Sequence, residues 1–488
     1  MASSKYLITV INLKKKAIFI NLLLVNFFYI QGKLLDWGLV RLEKTKNNSN
    51  HKRAKDILGK PFTSTISKYI GVSIAIGAIT GLIVGVLRWI IDRTLILLTL
   101  IYPYMGKHPM LIIPYLLATL VIAWVIGKIV KPYDTDVVRS GVTQLKAVLL
   151  GKHHIHWWPV LWRKFVTSLL AICPGLFLGR EGPSIQIGAC VGAGFTQKFF
   201  HLPDENKYLL VECGIAAGLS AAFSAPLAGT MFLLEEITHS FKPNIWIPAL
   251  TASIVSAFVT FLFFGTQPCL YIPLTTKLPM GSYPWLIVVG IVIGCLSYCF
   301  QFVALNLTWL YSKVTIIPKQ FHCIIPLLLV IPVGLWNPYI LGGSHDFIKY
   351  VTNMSLSNDW QAMIALLLFY FIVRFSGTMI AYGANVPGGI FMPIFVLGAV
   401  IGAAFGTLFI HMGVIPASCY LNLIVISMAA YFGGAEGLPF TAILLVSEMV
   451  GSVEQILPMT LITLVAYYTN RTLGGQPSLY GALLKERL

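Results

Sequence analysis

Three short stretches place residues capable of chemistry inside otherwise apolar sequence. FLGREGPSIQIG, Phe177 to Gly188, sets Arg180 and Glu181 between Gly179 and Gly182, with a proline next. PGGIFMP, residues 387–393, has the same glycine-rich, proline-terminated form without the charges. MFLLEEITHSF ends an apolar run on the paired acids Glu235 and Glu236. The first two each open a new helical run with small residues at four-residue spacing. That puts a helix N-terminus, with its unpaired N–H groups, inside apolar sequence. Two such ends brought together make a partial positive potential without a full positive charge, which suits an anion. A lysine there would hold a small anion too tightly for release, whereas dipoles and hydroxyls allow entry and exit.

Glu181 has the size and charge to compete for the same place. Two unit charges about 4 Å apart, at an effective dielectric near ~20, repel by roughly 4 kcal/mol. Anion occupancy and proton occupancy are thereby coupled through repulsion. Glu235 and Glu236 follow an apolar run, where ionisable groups are costly unless they face water or a pathway. They are candidates for an internal proton entry point, and an interfacial pair at a helix end is the equal alternative.

The elements that must position these residues are membrane helices. The chain of 488 residues is 57% hydrophobic and 11% charged, the profile of a polytopic membrane protein. No charged residue occurs in 243–276, 278–312 or 375–435. At about 20 residues per crossing, the chain holds roughly ten to twelve apolar segments. Of the net charge of +17, +10 lies in residues 1–68, with 13 Lys or Arg against 3 acids. The positive-inside tendency makes this extension cytoplasmic. With no separate basic domain carrying interleaved aromatics, no nucleic-acid partner is expected. LKKKAIFINLLLVNFFYI resembles a signal sequence, but no small-residue cleavage site follows, and it reads as an interfacial helix or an extension. The eight cysteines are scattered without a CxxC pair and read as buried small hydrophobes.

The chain also repeats itself. PSIQIGACVGAGF after residue 182 and PIFVLGAVIGAAF after residue 392 share one spacing of Pro, Gly, Gly and Phe. APLAGTMFLLEEI around Pro226 matches LPFTAILLVSEMV around Pro439, each with a glutamate nine positions after the proline. Duplicated units are frequent in transporters, where interrupted helices build a site near the midplane. The units expected are about 69–265 and about 280–475, within a transmembrane domain of 69–488.

These residues resemble the CLC family of chloride channels and chloride/proton exchangers. GREGP with its trailing PSIQIGA, GGIFMP, FLLEEI and QPSLYGALL each look like a family motif, in the family's order. The resemblance implies an all-α fold of many tilted and broken helices in two inverted-topology repeats, and a homodimer with one pathway per subunit. It implies that Glu181 is an external gating glutamate and Glu236 an internal proton glutamate. Chloride would be held by the hydroxyls of Ser140 and Tyr480 and the N–H groups of Ile390 and Phe391. Gly179, Arg180, Gly182 and Gly389 would supply backbone along the anion path. Arg139 stands where the family has glycine and Thr143 where it has proline, which puts the backbone around Ser140 in question. Ser478, between a proline and Leu479, is a second departure. With eight residues after Tyr480, no nucleotide-binding tail is expected, which favours a prokaryotic plasma membrane.

An acid at the internal position goes with exchange in this family, so a chloride/proton antiporter without a cofactor is the leading expectation, and a passive channel its alternative. The reading of another class is an intramembrane metalloenzyme, drawing on His153, His154 and His156 or on the ExxH spacing of Glu236 and His239. One ExxH without HExxH, and histidines in a polar connection, count against it. Arg180, beside Glu181, could form an ion pair or orient its loop. Glu448, the counterpart of Glu235, reads as structural, and His411 as a satisfied helix-end histidine.

Overall fold

Small residues decide how these helices meet. The computed structural model describes residues 62–198, 208–274, 276–343, 345–354 and 359–486. Of residues 1–68, read as a cytoplasmic extension, 1–61 lie outside them, and so does the interfacial-helix reading. Residues Ile66–Leu488 form one compact unit.

The first half holds α1 (Phe62–Lys107), α2 (Ile112–Val130), α3 (Val142–Leu149), α4 (Trp157–Ile172), α5 (Glu181–Lys198), α6 (Leu209–Phe223), α7 (Pro226–Phe232) and α8 (Pro243–Phe264). The second holds α9 (Tyr283–Ser312), α10 (Ile324–Trp336), α11 (His345–Thr352), α12 (Trp360–Gly383), α13 (Phe391–His411), α14 (Tyr420–Glu436), α15 (Pro439–Val450), α16 (Ile456–Thr472) and α17 (Leu479–Lys485). A π-helical turn, Leu233–Thr238, continues α7. The first helix begins at Phe62, ahead of the apolar span that starts at Tyr69.

The halves pack alike. α5 lies along α6 as α13 lies along α14, and α4 meets α5 as α12 meets α13. Glycine lets the backbones close in on both sides. A Cβ on Gly81 of α1 would lie 2.7 Å from the Ser256 carbonyl of α8, and one on Gly294 of α9 would lie 2.8 Å from the Ala466 carbonyl of α16. Proline opens α7 and α15, where the missing N–H costs nothing. Ser224 and Gly437, each two residues before one of those prolines, end α6 and α14 in the left-handed conformation.

Among the described residues, eight helices are long and apolar enough to cross a membrane. The shorter apolar Leu209–Phe223 and Pro439–Val450 account for the larger number of segments expected from the sequence. The cysteine expectation holds for only half of them: Cys190, Cys213, Cys323 and Cys419 are buried, and Cys173 and Cys269 are half-buried. Cys295 and Cys299 are exposed on α9, because lipid is as apolar as a core and burial is not required of an apolar side chain there.

Candidate functional site

Gly179 and Gly389 join the two breaks. The Gly179 N–H donates to the Gly389 carbonyl at 2.8 Å, and the Gly389 N–H donates to the Gly179 carbonyl at 2.7 Å. This one-rung antiparallel bridge places the starts of α5 and α13 side by side. Only glycine permits the approach. A Cβ on Gly389 would lie 2.7 Å from the Gly182 nitrogen, and one on Gly182 would lie 2.6 Å from Cβ of Ser140.

Glu181, the first residue of α5, is fully buried at this junction. Its carboxyl folds back over Gly179 and beside Gly389. The backbone N–H groups of Arg180 and Glu181 from one break and of Met392 from the other face it. Neither carboxyl oxygen completes a hydrogen bond. Donors from both helix N-termini are thus aimed at one carboxyl, the arrangement that suits an anion. Arg180 turns away to pair with Asp92 of α1, whose other oxygen lies 3.7 Å from Arg88. The ion pair that Arg180 makes is thus with Asp92 and not with the neighbouring Glu181. A cavity of about 180 Å3, lined by Arg88, Asp92, Arg180, His345 and Lys349, reaches Glu181.

On the other side of the bridge, Ser140 sits in the turn before α3. Arg139 takes φ +55°, the left-handed region that a glycine would occupy freely. Several groups hold it there. The Arg139 carbonyl accepts from Lys164 Nζ at 2.6 Å and from the Gly388 N–H at 3.1 Å. Its guanidinium donates to Asn385 at 2.9 Å and to Thr308 at 3.1 Å. These bonds offset the strain of a left-handed arginine. Thr143 lies in the first turn of α3 and lines a second cavity of about 780 Å3, together with Lys131, Lys152, His153, Lys319 and Asn385.

The buried Tyr480 hydroxyl has the Ser140 hydroxyl as its neighbour but completes no hydrogen bond. Its ring lies 6.1 Å from that of Phe391, which opens α13 after Ile390. Ser140, Ile390, Phe391 and Tyr480 are therefore brought to one place, beside Gly182 and Glu181. Ser478 explains how α17 gets there, since its hydroxyl caps that helix by accepting the Gly481 N–H at 2.9 Å.

The paired acids separate. Glu235 accepts from the Thr441 N–H at 2.7 Å and the Phe440 N–H at 3.2 Å, at the start of α15. Glu236 is buried and accepts from Lys146 Nζ at 2.7 Å and the Ser478 hydroxyl at 2.6 Å. The π-turn lets neighbouring side chains reach different partners. Glu448 accepts from the N–H groups of Leu227 and Ala228 at the start of α7, the structural role expected of it. His411 stacks on Trp360, their rings 4.4 Å apart. His153 goes to Asp136 at 2.5 Å, and no three potential metal ligands cluster among the described residues.

Sequence reasoning missed Lys146, Lys164, Ser478 as a link, and Glu436. Lys146 and Lys164 are buried charges, which need partners. Glu436 closes the longest charge-free run, 375–435, and that position was its available signal.

The profile of the voltage gated chloride channel family matches residues 118–471. The chain is 32% identical over 372 residues to the H(+)/Cl(-) exchange transporter ClcA of Klebsiella pneumoniae, covering 74% of this chain and 76% of that one. It is 31% identical over 373 residues to the ClcA of Salmonella arizonae, with the same coverage. Among solved structures it is similar to a slow cyanobacterial Cl-/H+ antiporter, with TM-score 0.75, 25% identity, and 86% and 97% of the two chains covered. A CLC-type fluoride/proton antiporter shares the fold at TM-score 0.69 and 18% identity, over 87% of this chain and 99% of that one.

Proposed function

Because the chain belongs to the voltage-gated chloride channel family, we propose that it is a secondary active transporter that exchanges chloride for protons across a membrane. It is a transporter and not an enzyme. The observation that carries the reading is the junction of the two breaks, where N–H groups of two helix N-termini face the one carboxyl of Glu181.

In this reading the carboxylate of Glu181 and a chloride ion alternate in the same field of donors. When Glu181 takes a proton its charge is lost, chloride enters, and the protonated side chain leaves toward the cavity bordered by Arg180. When chloride leaves, the ionised side chain returns and closes the path. The central chloride takes hydrogen bonds from the hydroxyls of Ser140 and Tyr480 and from the N–H groups of Ile390 and Phe391. Gly179, Gly182 and Gly389 allow the backbone to come close enough to line its path. Glu236 receives protons from the other face, and its bond to Lys146 keeps a carboxylate affordable at that depth. No cofactor takes part.

The assembly proposed is a homodimer with one pathway in each subunit, in a prokaryotic plasma membrane, with the N-terminus cytoplasmic. The bacterial relatives and the +10 charge of residues 1–68 support the last two points. The test of function is a reconstituted vesicle with an imposed chloride gradient and an external pH electrode. Uphill proton movement supports exchange. Chloride flux without proton movement would leave a passive channel.

A further inference from the structure

Glu436 is the last residue of α14, with none of its surface exposed and with neither carboxyl oxygen hydrogen-bonded. It is fixed where it stands. Gln301 of α9 donates to the neighbouring Ala435 carbonyl at 2.8 Å and to the Gln476 carbonyl at 3.2 Å, tying the end of α14 to the segment before α17. Gly437 follows and packs against the Pro477 carbonyl.

Three elements present ionisable groups to it. Glu236 on the π-turn and Lys146 on α3 act on its charge, and it acts in turn on the Tyr480 hydroxyl of α17. Glu436 therefore lies in electrostatic reach of both the internal carboxyl and the hydroxyl beside Ser140, while Ser140 packs on Gly182 next to Glu181. The counterpart three residues before the proline in the first half is Phe223, so the acid is present on one side of the two-fold arrangement only.

Two carboxyls with opposite surroundings flank the Pro477–Ser478 segment, Glu436 through Gly437 against the Pro477 carbonyl and Glu236 through the Ser478 hydroxyl. Glu236 has an ammonium and a hydroxyl to hold its ionised form. Glu436 has no donor and stands at a helix C-terminus, whose carbonyls repel a negative charge. A buried carboxyl in that setting keeps its proton until an acceptor is offered. Paired acids whose environments differ in this way are suited to pass a proton from one to the other.

We propose that Glu436 is a third proton-carrying carboxyl, between Glu236 and Glu181. Its proton leaves through water to the Glu181 carboxylate, and the resulting Glu436 carboxylate is refilled by a proton from Glu236, itself reprotonated from the solution it faces. One proton moves one station at each transfer, and no charge accumulates on Glu436. The inference rests on the exchange reading above.

The experiment compares full-length wild type, E436Q and E436D in reconstituted vesicles, measuring chloride and proton fluxes together. Wild type must first drive protons uphill; if it does not, the exchange reading falls and this inference with it. With that established, E436Q is expected to keep chloride flux while proton flux drops by about tenfold or more, the scale of a lost acid–base group. E436D is expected to recover most of the proton flux. An unchanged proton-to-chloride ratio in E436Q would overturn the proposal. Infrared difference spectra of wild type minus E436Q, taken while chloride is exchanged, give a readout independent of flux. A protonated-carboxyl band that disappears in E436Q is expected, and its absence from wild type would also overturn the assignment.

Discussion

Glu235 and Glu448 cap each other's halves. Glu235 of the first half accepts the N–H groups that open α15, and Glu448 of the second accepts those that open α7. A contact in which i meets j while its counterpart meets i's counterpart is the signature of a two-fold relation. Here both partners belong to one chain. The junction of the two breaks thus has two reciprocal pairs about it, these glutamates and the Gly179–Gly389 bridge.

Removing either cap should cost about 1–2 kcal/mol, the usual range for a lost N-cap. Glu235→Ala should cost more than Glu448→Ala, because Glu235 also accepts the Thr441 hydroxyl at 2.6 Å. Thermal unfolding of the detergent-solubilised protein measures both. Equal losses would mean the hydroxyl bond contributes nothing.

Glu181→Gln should abolish proton coupling while some chloride flux continues, now independent of pH. The amide keeps the shape but cannot carry a charge that competes with chloride. Chloride efflux from vesicles across a pH series checks this, and retained uphill proton transport would contradict the role assigned to the side chain.

Gly182→Ala should reduce chloride flux by about tenfold or more, on the scale that misplaced site groups produce. The added methyl would lie 2.6–2.9 Å from Ser140 side-chain and backbone atoms, which cannot move without displacing the hydroxyl. Gly281→Ala, with nothing within 4 Å, is the matched control and should leave flux unchanged.

Lys146→Met should destabilise the protein by about 3–5 kcal/mol, because it strands Glu236 as a buried unpaired charge. Adding Glu236→Gln to it should recover much of that loss. A double-mutant cycle read by thermal unfolding gives the coupling directly, and additive losses would show that the two side chains do not support each other.

Arg139→Gly should be less destabilising than Arg139→Ala, by about 1 kcal/mol. Both lose the bonds to Asn385 and Thr308, but only glycine adopts the left-handed φ of this turn without strain. Chemical denaturation of the pair measures the difference.

The breaks, the duplication and the placing of Glu181 at a break were legible in the sequence because each rests on local pattern: glycine before proline, one spacing used twice, and a charge inside apolar sequence. What Arg139 does was not legible. A substitution at a glycine position reads as damage, and the partners that tolerate it, Asn385, Thr308 and Lys164, come from three distant helices or turns. The fates of Glu235 and Glu236 were equally hidden, since adjacent residues of one type carry no sign of which will cap a helix and which will meet a lysine. Glu436 was visible as a letter but not as a neighbour. Its interest comes from α3, α17 and the π-turn converging on the end of α14, which no window of sequence contains.

The mutual bonds between Gly179 and Gly389 have a mechanical meaning. They weld the halves at the spot where a rocking transporter would need to part them. In the exchange proposed above, a cycle that keeps this weld intact would turn on the swing of the Glu181 side chain about three rotatable bonds, a moving component of a few atoms inside a scaffold that stays still.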